Sequence, residues 1–148
     1  MTIEEKLKSM HLELPPLPTA KGKLAPAVRS GNLVFTSGNV SPEKGKVGKD
    51  LSVEQAYVAA KHCLVNVLGN LRAAGVDLNK VKRVVKLLGF VNCAEGFTDT
   101  PGVIHGATDT LIALYGEEAG WHARSAIGVY QLPGNVAVEI ELIVEVAD

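Results

Sequence analysis

Cysteine, aromatic residues and surplus charge are all scarce in this chain. Its 148 residues hold two cysteines, Cys63 and Cys93. The start, Met1-Thr2-Ile3-Glu4-Glu5-Lys6, carries charges of both signs and no apolar stretch, unlike a secretory signal. Both cysteines are therefore expected as thiols, and a cytoplasmic location is the default. Aromatic residues make up 5%, and 15 basic residues against 16 acidic ones leave a net charge of -1. That balance gives no footprint for a nucleic-acid backbone, so no nucleic-acid partner is expected. No apolar run approaches the roughly 20 residues that span a bilayer, so no membrane partner is expected either.

Chemical motifs are sparse too. His11, His62, His105 and His122 share no spacing suited to a metal, and neither cysteine completes a ligand set. No metal and no cofactor are expected. Gly38 and Gly89 are isolated rather than part of a phosphate loop, and Ser37 and Ser125 lack the frame of a nucleophile elbow. Cys63 falls on an apolar helix stripe and reads as core. His62 and His105 read as helix-surface residues, while His122, two residues before Arg124, is a candidate site neighbour.

What is present is an ordinary globular composition, 47% hydrophobic and 21% charged, enough for one folded domain over residues 1–148. Residues 1–20 read as a short N-terminal helix, within residues 2–11, and an extended, packed arm through Leu14-Pro15-Pro16-Leu17-Pro18. Ser30-Gly31-Asn32 marks a hairpin turn between Ala27-Val28-Arg29 and Leu33-Val34-Phe35-Thr36-Ser37. Ser52 and Gln55 form a capping-box signature before a long apolar stripe that Gly75 ends. Val81 to Asn92 reads as a strand. Thr100 before Pro101 opens a second long helix, which Gly116 or Gly120 ends. Ala123 to Tyr130 and Val136 to Val146 read as strands joined by a type II turn at Leu132-Pro133-Gly134-Asn135. The order is ββαβαββ. It predicts an α+β domain with both long helices on one face of a mixed sheet, and terminal hairpins with antiparallel pairing. The other sheet face needs a cover, which oligomerisation would supply.

Arg124 is the residue that chemistry singles out. It opens a strand of small and apolar residues, where an unpaired guanidinium is costly. Either it pairs with Glu139 or Glu141 across the last hairpin, or with an acid of another subunit, or its planar fork clamps a small carboxylate ligand. The glutamates of the last strand also fit the wet face of an antiparallel strand.

Ala123-Arg124-Ser125, the Leu132-Pro133 turn and Val138-Glu139-Ile140-Glu141 resemble the C-terminal signature of the YjgF/RidA family of imine deaminases, which also carries the label L-PSP endoribonuclease. Phe35-Thr36-Ser37-Gly38 and Ala73-Ala74-Gly75 add to a resemblance running from about residue 22 to the C-terminus. It implies a chorismate-mutase-like homotrimer whose sheets close into a central barrel, with sites in clefts between subunits. It also implies hydrolysis of 2-imino or enamine acids to 2-keto acids and ammonia. Arg124 then binds the substrate carboxylate and Glu139 holds or activates water, with Gly38, Ala126, Leu24 and His122 lining the site. Leu24 stands where the family often has tyrosine, and Ala126 where it often has cysteine. Those departures, with Ala94-Glu95-Gly96-Phe97, mark a divergent subgroup. The alternative function is a non-catalytic trimer that binds a small carboxylate metabolite.

Overall fold

Ser52 and Gln55 start the longest helix as a reciprocal cap. The Gln55 amide donates to Ser52 Oγ at 3.2 Å and the Ser52 amide to Gln55 Oε1 at 2.9 Å. The computed structural model describes residues 1–148. Its elements run α1 (Ile3–Ser9), β1 (Ala27–Ser30), β2 (Leu33–Thr36), β3 (Asn39–Val40), α2 (Val53–Ala73), β4 (Val81–Asn92), α3 (Thr100–Ala119), β5 (Ala123–Val129) and β6 (Val138–Val146). They form a single α+β domain with three helices and a mixed six-stranded sheet, in the order β1-β2-β6-β4-β5 with β3 also on β6.

The core lies between one sheet face and the helices. In β6, Val138, Ile140, Leu142, Val144 and Val146 are buried and the residues between them are half-buried, so alternate side chains serve opposite faces. In β4 the buried residues begin Val81, Val84, Leu87, a step of three that strict alternation does not allow. Register shifts between Val81 and Arg83 and between Val84 and Lys86 explain it. Each irregularity re-aims the chain so that the next apolar residue returns to the core. Each fully buried leucine or valine there contributes about 1.5–3 kcal/mol.

The two long helices touch closely at Gly106. A β-carbon there would lie 2.9 Å from the Tyr57 carbonyl carbon and nearer still to its oxygen. Only glycine lets α3 approach the backbone of α2 this way. The N-terminal arm is tied down as well. The Ile3 amide donates to Asn79 Oδ1 at 2.8 Å, Lys6 Nζ donates to the Leu114 carbonyl at 2.8 Å, and Arg72 donates to the Pro15 carbonyl.

The helix expected within residues 2–11 forms as Ile3–Ser9, capped by Thr2. The expected start of the second long helix and the last hairpin are corrected. The N-cap of α3 is Asp99, whose carboxylate accepts from the Gly102 amide at 3.0 Å, and Thr100 already belongs to the helix. Gly134, the third residue of the Leu132–Asn135 turn, takes φ 61° and ψ 17° as a type II turn asks, and the Asn135 amide donates to the Leu132 carbonyl at 3.0 Å; Asn135, which ends the turn, is itself left-handed at φ 58°. That turn joins no hairpin. β4 and β5 pair in parallel, with α3 as the crossover, and β6 pairs antiparallel with the other edge of β4 and with β2. β4 therefore stands between β5 and β6. The opening hairpin, β1 with β2, is antiparallel as expected.

The second sheet face carries no helix. Val28, Leu33, Phe35 and Ile127 are exposed, and Val28 reaches 58%. No helix is long and apolar enough to cross a membrane.

Candidate functional site

Arg124 sits on the edge strand β5, opposite Leu87 of β4, which in turn lies opposite Leu142 of β6. Residues in register share a face, so Arg124 points to the helix side, and α3 receives it there. Its Nη1 bonds His105 Nδ1 at 2.9 Å and Thr108 Oγ1 at 3.2 Å. Partial burial works against the guanidinium charge, and Asp109 supports it. His122 joins the same group. Its Nε2 is 3.1 Å from Thr108 Oγ1 and its Nδ1 is 2.7 Å from the Gly120 carbonyl. Burial lowers its pKa, with the Gly120 carbonyl opposing and Arg124 adding to that shift, and so favours the neutral ring.

Glu139 sits opposite Phe90, which lies opposite Ile127. It therefore shares the helix-free face with exposed Ile127. Gly38 stands directly against it: a β-carbon on residue 38 would lie 3.3 Å from Glu139 Cδ. Burial, and then the charge of Glu141, hold the Glu139 carboxyl above the ordinary carboxylate range. The Ser37-Gly38 corner is fixed from two sides. Ser37 Oγ donates to the Ala25 carbonyl at 2.6 Å, and Asn70 of α2 donates to the Ser37 carbonyl at 3.1 Å. Leu24 and Gly38 line one open groove, between the N-terminal arm and the end of α2, and Leu24 is 68% exposed.

The candidate residues thus fall into two groups on opposite faces of one sheet. Arg124, His122 and Ala126 are on the helix side at the β5 edge; Glu139 and Gly38 are on the other side. The pairing of Arg124 with Glu139 or Glu141 within one chain does not occur, because β4 lies between their strands and their side chains point apart. At Ala126 the backbone carbonyl already accepts the Thr100 hydroxyl at 2.9 Å. His105 is exposed on α3, as expected of a helix-surface residue, and is also a direct partner of Arg124; Thr108 is a partner that the sequence did not single out. Their spacing with Arg124 is visible only once α3 is folded against β5. Both cysteines are free thiols, and no three His, Cys, Asp or Glu side chains converge on a common point.

A mixed sheet backed by helices on one side, with an arginine held at its edge and an acid on its open face, defines a class of small α+β domains with separated polar groups. The family model described as Endoribonuclease L-PSP matches residues 16–146, and the chain belongs to this family, the YjgF/RidA family. The Protein TCP17 of Trypanosoma cruzi is 36% identical over 97% of this chain and 93% of its own length. A 2-iminobutanoate/2-iminopropanoate deaminase of Salmonella typhimurium is 34% identical over 85% of this chain and 89% of its own. Among solved structures, the protein Atu1372 of Agrobacterium tumefaciens, described as of unknown function, superposes with a TM-score of 0.88. It is 39% identical, over 98% of this chain and 92% of that one.

Proposed function

We propose that the chain is a hydrolytic deaminase of 2-imino and enamine acids, acting as a homotrimer with its sites in clefts between subunits. The observation that carries this reading is the two-faced placement of Arg124 and Glu139. Neither can serve one small substrate together within a chain, but the edge of one sheet laid on the open face of another brings them to one cleft. The exposed Val28, Phe35 and Ile127 give that open face an apolar surface to bury.

In this cleft Arg124 takes the substrate carboxylate with its planar fork and orients the imine. Glu139 accepts a proton from water as the oxygen adds to the imine carbon, giving a tetrahedral carbinolamine. The same carboxyl passes that proton to the nitrogen. The imine enters protonated, so the nitrogen is now an ammonium leaving group; the freed carboxylate takes the carbinolamine hydroxyl proton as the C–N bond breaks, ammonia leaves with the electron pair of that bond, the 2-keto acid remains, and the carboxyl returns the proton to solvent. A carboxyl whose pKa is raised by burial suits this exchange, because its proton affinity moves towards neutrality. A cytoplasmic location goes with the reading.

A second reading, a non-catalytic trimer that binds a small carboxylate, is favoured by two local facts. The Ala126 carbonyl already holds the Thr100 hydroxyl, and Leu24 brings no polar atom to the groove. The deciding experiment couples an amino-acid oxidase, which releases 2-imino acids, to semicarbazide, which traps them. Deamination lowers the rate of trapping with wild type and not with Arg124→Ala. Unchanged trapping over small and large side chains, with a 2-keto acid still bound, would favour the second reading.

A further inference from the structure

The bonds around Arg124 assign more than its location. Nη1 carries two hydrogens, and the two acceptors beside it are His105 Nδ1 at 2.9 Å and Thr108 Oγ1 at 3.2 Å. Neither Nε nor Nη2 bonds a protein acceptor. We propose that His105 and Thr108 are positioning residues which take up the Nη1 corner of Arg124, so that the guanidinium presents its Nε–Nη2 edge to the ligand carboxylate. This rests on reading Arg124 as the carboxylate anchor.

A guanidinium can meet a carboxylate end-on through both Nη atoms or side-on through Nε and Nη2. With both Nη1 hydrogens engaged, the end-on fork is lost and the side-on fork remains. The choice fixes the approach direction of the ligand, and with it the place of the imine carbon relative to the neighbouring subunit's acid. Thr108 alone would leave the guanidinium free to turn about its long side chain. Two acceptors at one corner stop that rotation.

The same bonds fix the protons on both histidines. Arg124 can only donate, so His105 Nδ1 is the acceptor and its proton is on Nε2. The Gly120 carbonyl can only accept, so the His122 proton is on Nδ1, and the neutral ring that burial favours takes the Thr108 hydroxyl proton at Nε2. His122 Nδ1 then donates to the Gly120 carbonyl. Every polar atom in the chain has one consistent role. Asp109, the nearby acid on α3, is engaged elsewhere: the Tyr57 hydroxyl of α2 donates to it at 2.6 Å.

The test measures calorimetric binding of 2-oxobutanoate, a stable 2-keto acid, at pH 8.0, beside imine turnover. His105→Ala weakens binding roughly tenfold, the effect of one charge-assisted hydrogen bond. In turnover the change falls on KM rather than kcat. His105→Asn, whose Oδ1 can occupy the place of Nδ1, restores wild-type binding. Wild-type affinity in His105→Ala, or binding in His105→Asn no better than in His105→Ala, overturns the proposal. Arg124→Ala is the control. If it binds 2-oxobutanoate as wild type does, the anchor reading itself falls. If it does not bind while both His105 variants behave as wild type, only the positioning role falls.

Discussion

Gly38→Ala separates the site from the fold. The backbone at residue 38 is not left-handed, so alanine is tolerated by the main chain. The added methyl meets the Glu139 carboxyl instead. It would stand 3.3 Å from Cδ, 3.4 Å from Cγ and inside 3.0 Å of Oε2, where ordinary contact begins at 3.4 Å. Cγ and Cδ can stay almost where they are, but Oε2 must retreat by the better part of an ångström. That oxygen is the far end of a flexible side chain, so the cost in stability is only that of an off-rotamer torsion, about 0.5–1.5 kcal/mol. A displacement of ~1 Å at a reacting group lowers turnover roughly 100-fold. The oxidase and semicarbazide assay reads kcat/KM, and urea unfolding reads stability. Near wild-type stability with a large drop in kcat/KM is the expected pair. Wild-type turnover in Gly38→Ala, alongside inactive Glu139→Gln, would refute the placement of the carboxyl. A collapse in stability would refute the view that only a side-chain end has to move.

Arg124→Lys should fold as wild type but bind 2-keto acids poorly, since an ammonium cannot reproduce the fork; calorimetry and circular dichroism check the two halves. Gly106→Ala should destabilise by roughly 1–3 kcal/mol in urea, although alanine is the better helix former, because its methyl meets the Tyr57 main chain. Glu139 binds its proton more tightly folded than unfolded, so its burial costs stability as pH rises from the ordinary carboxylate pKa through its raised one. Glu139→Gln should therefore melt at or above wild type at pH 7.5 in scanning calorimetry, with the difference closing towards pH 4. Ile127→Asp should lower the assembled mass in analytical ultracentrifugation, because it places a charge on the apolar open face.

Local chemistry made most elements readable. The Ser52–Gln55 cap, the stripe from Val53 onward, the turn at Gly75 with φ 87° and the alternation of β6 all depend on near neighbours. What failed was the order of strands. Pro133-Gly134 is a turn signal, and a turn between two strands usually joins partners. Here α3 carries the chain back in parallel to one edge of β4, so β6 must take the other edge. No residue near the turn records that choice. Of the candidate site residues, chemistry alone singled out Arg124, while Glu139 and Gly38 entered through the family resemblance; the division of the three between two faces depends on the strand order. His105 and Thr108 lie on α3, far along the chain from Arg124, and only the parallel crossover brings them to it.

On the proposed assembly, in which Arg124 of one chain meets Glu139 of the next, the division of these residues between opposite faces has a genetic consequence. An allele lacking Arg124 and an allele lacking Glu139 would each be inactive alone, because every cleft would lack one partner. Expressed together they would complement. Any ring that mixes the two chains contains a junction where an intact arginine edge meets an intact acid face. The function is then inherited as a property of neighbouring pairs rather than of chains, and damage to one copy of the gene can be masked or exposed by what the other copy contributes.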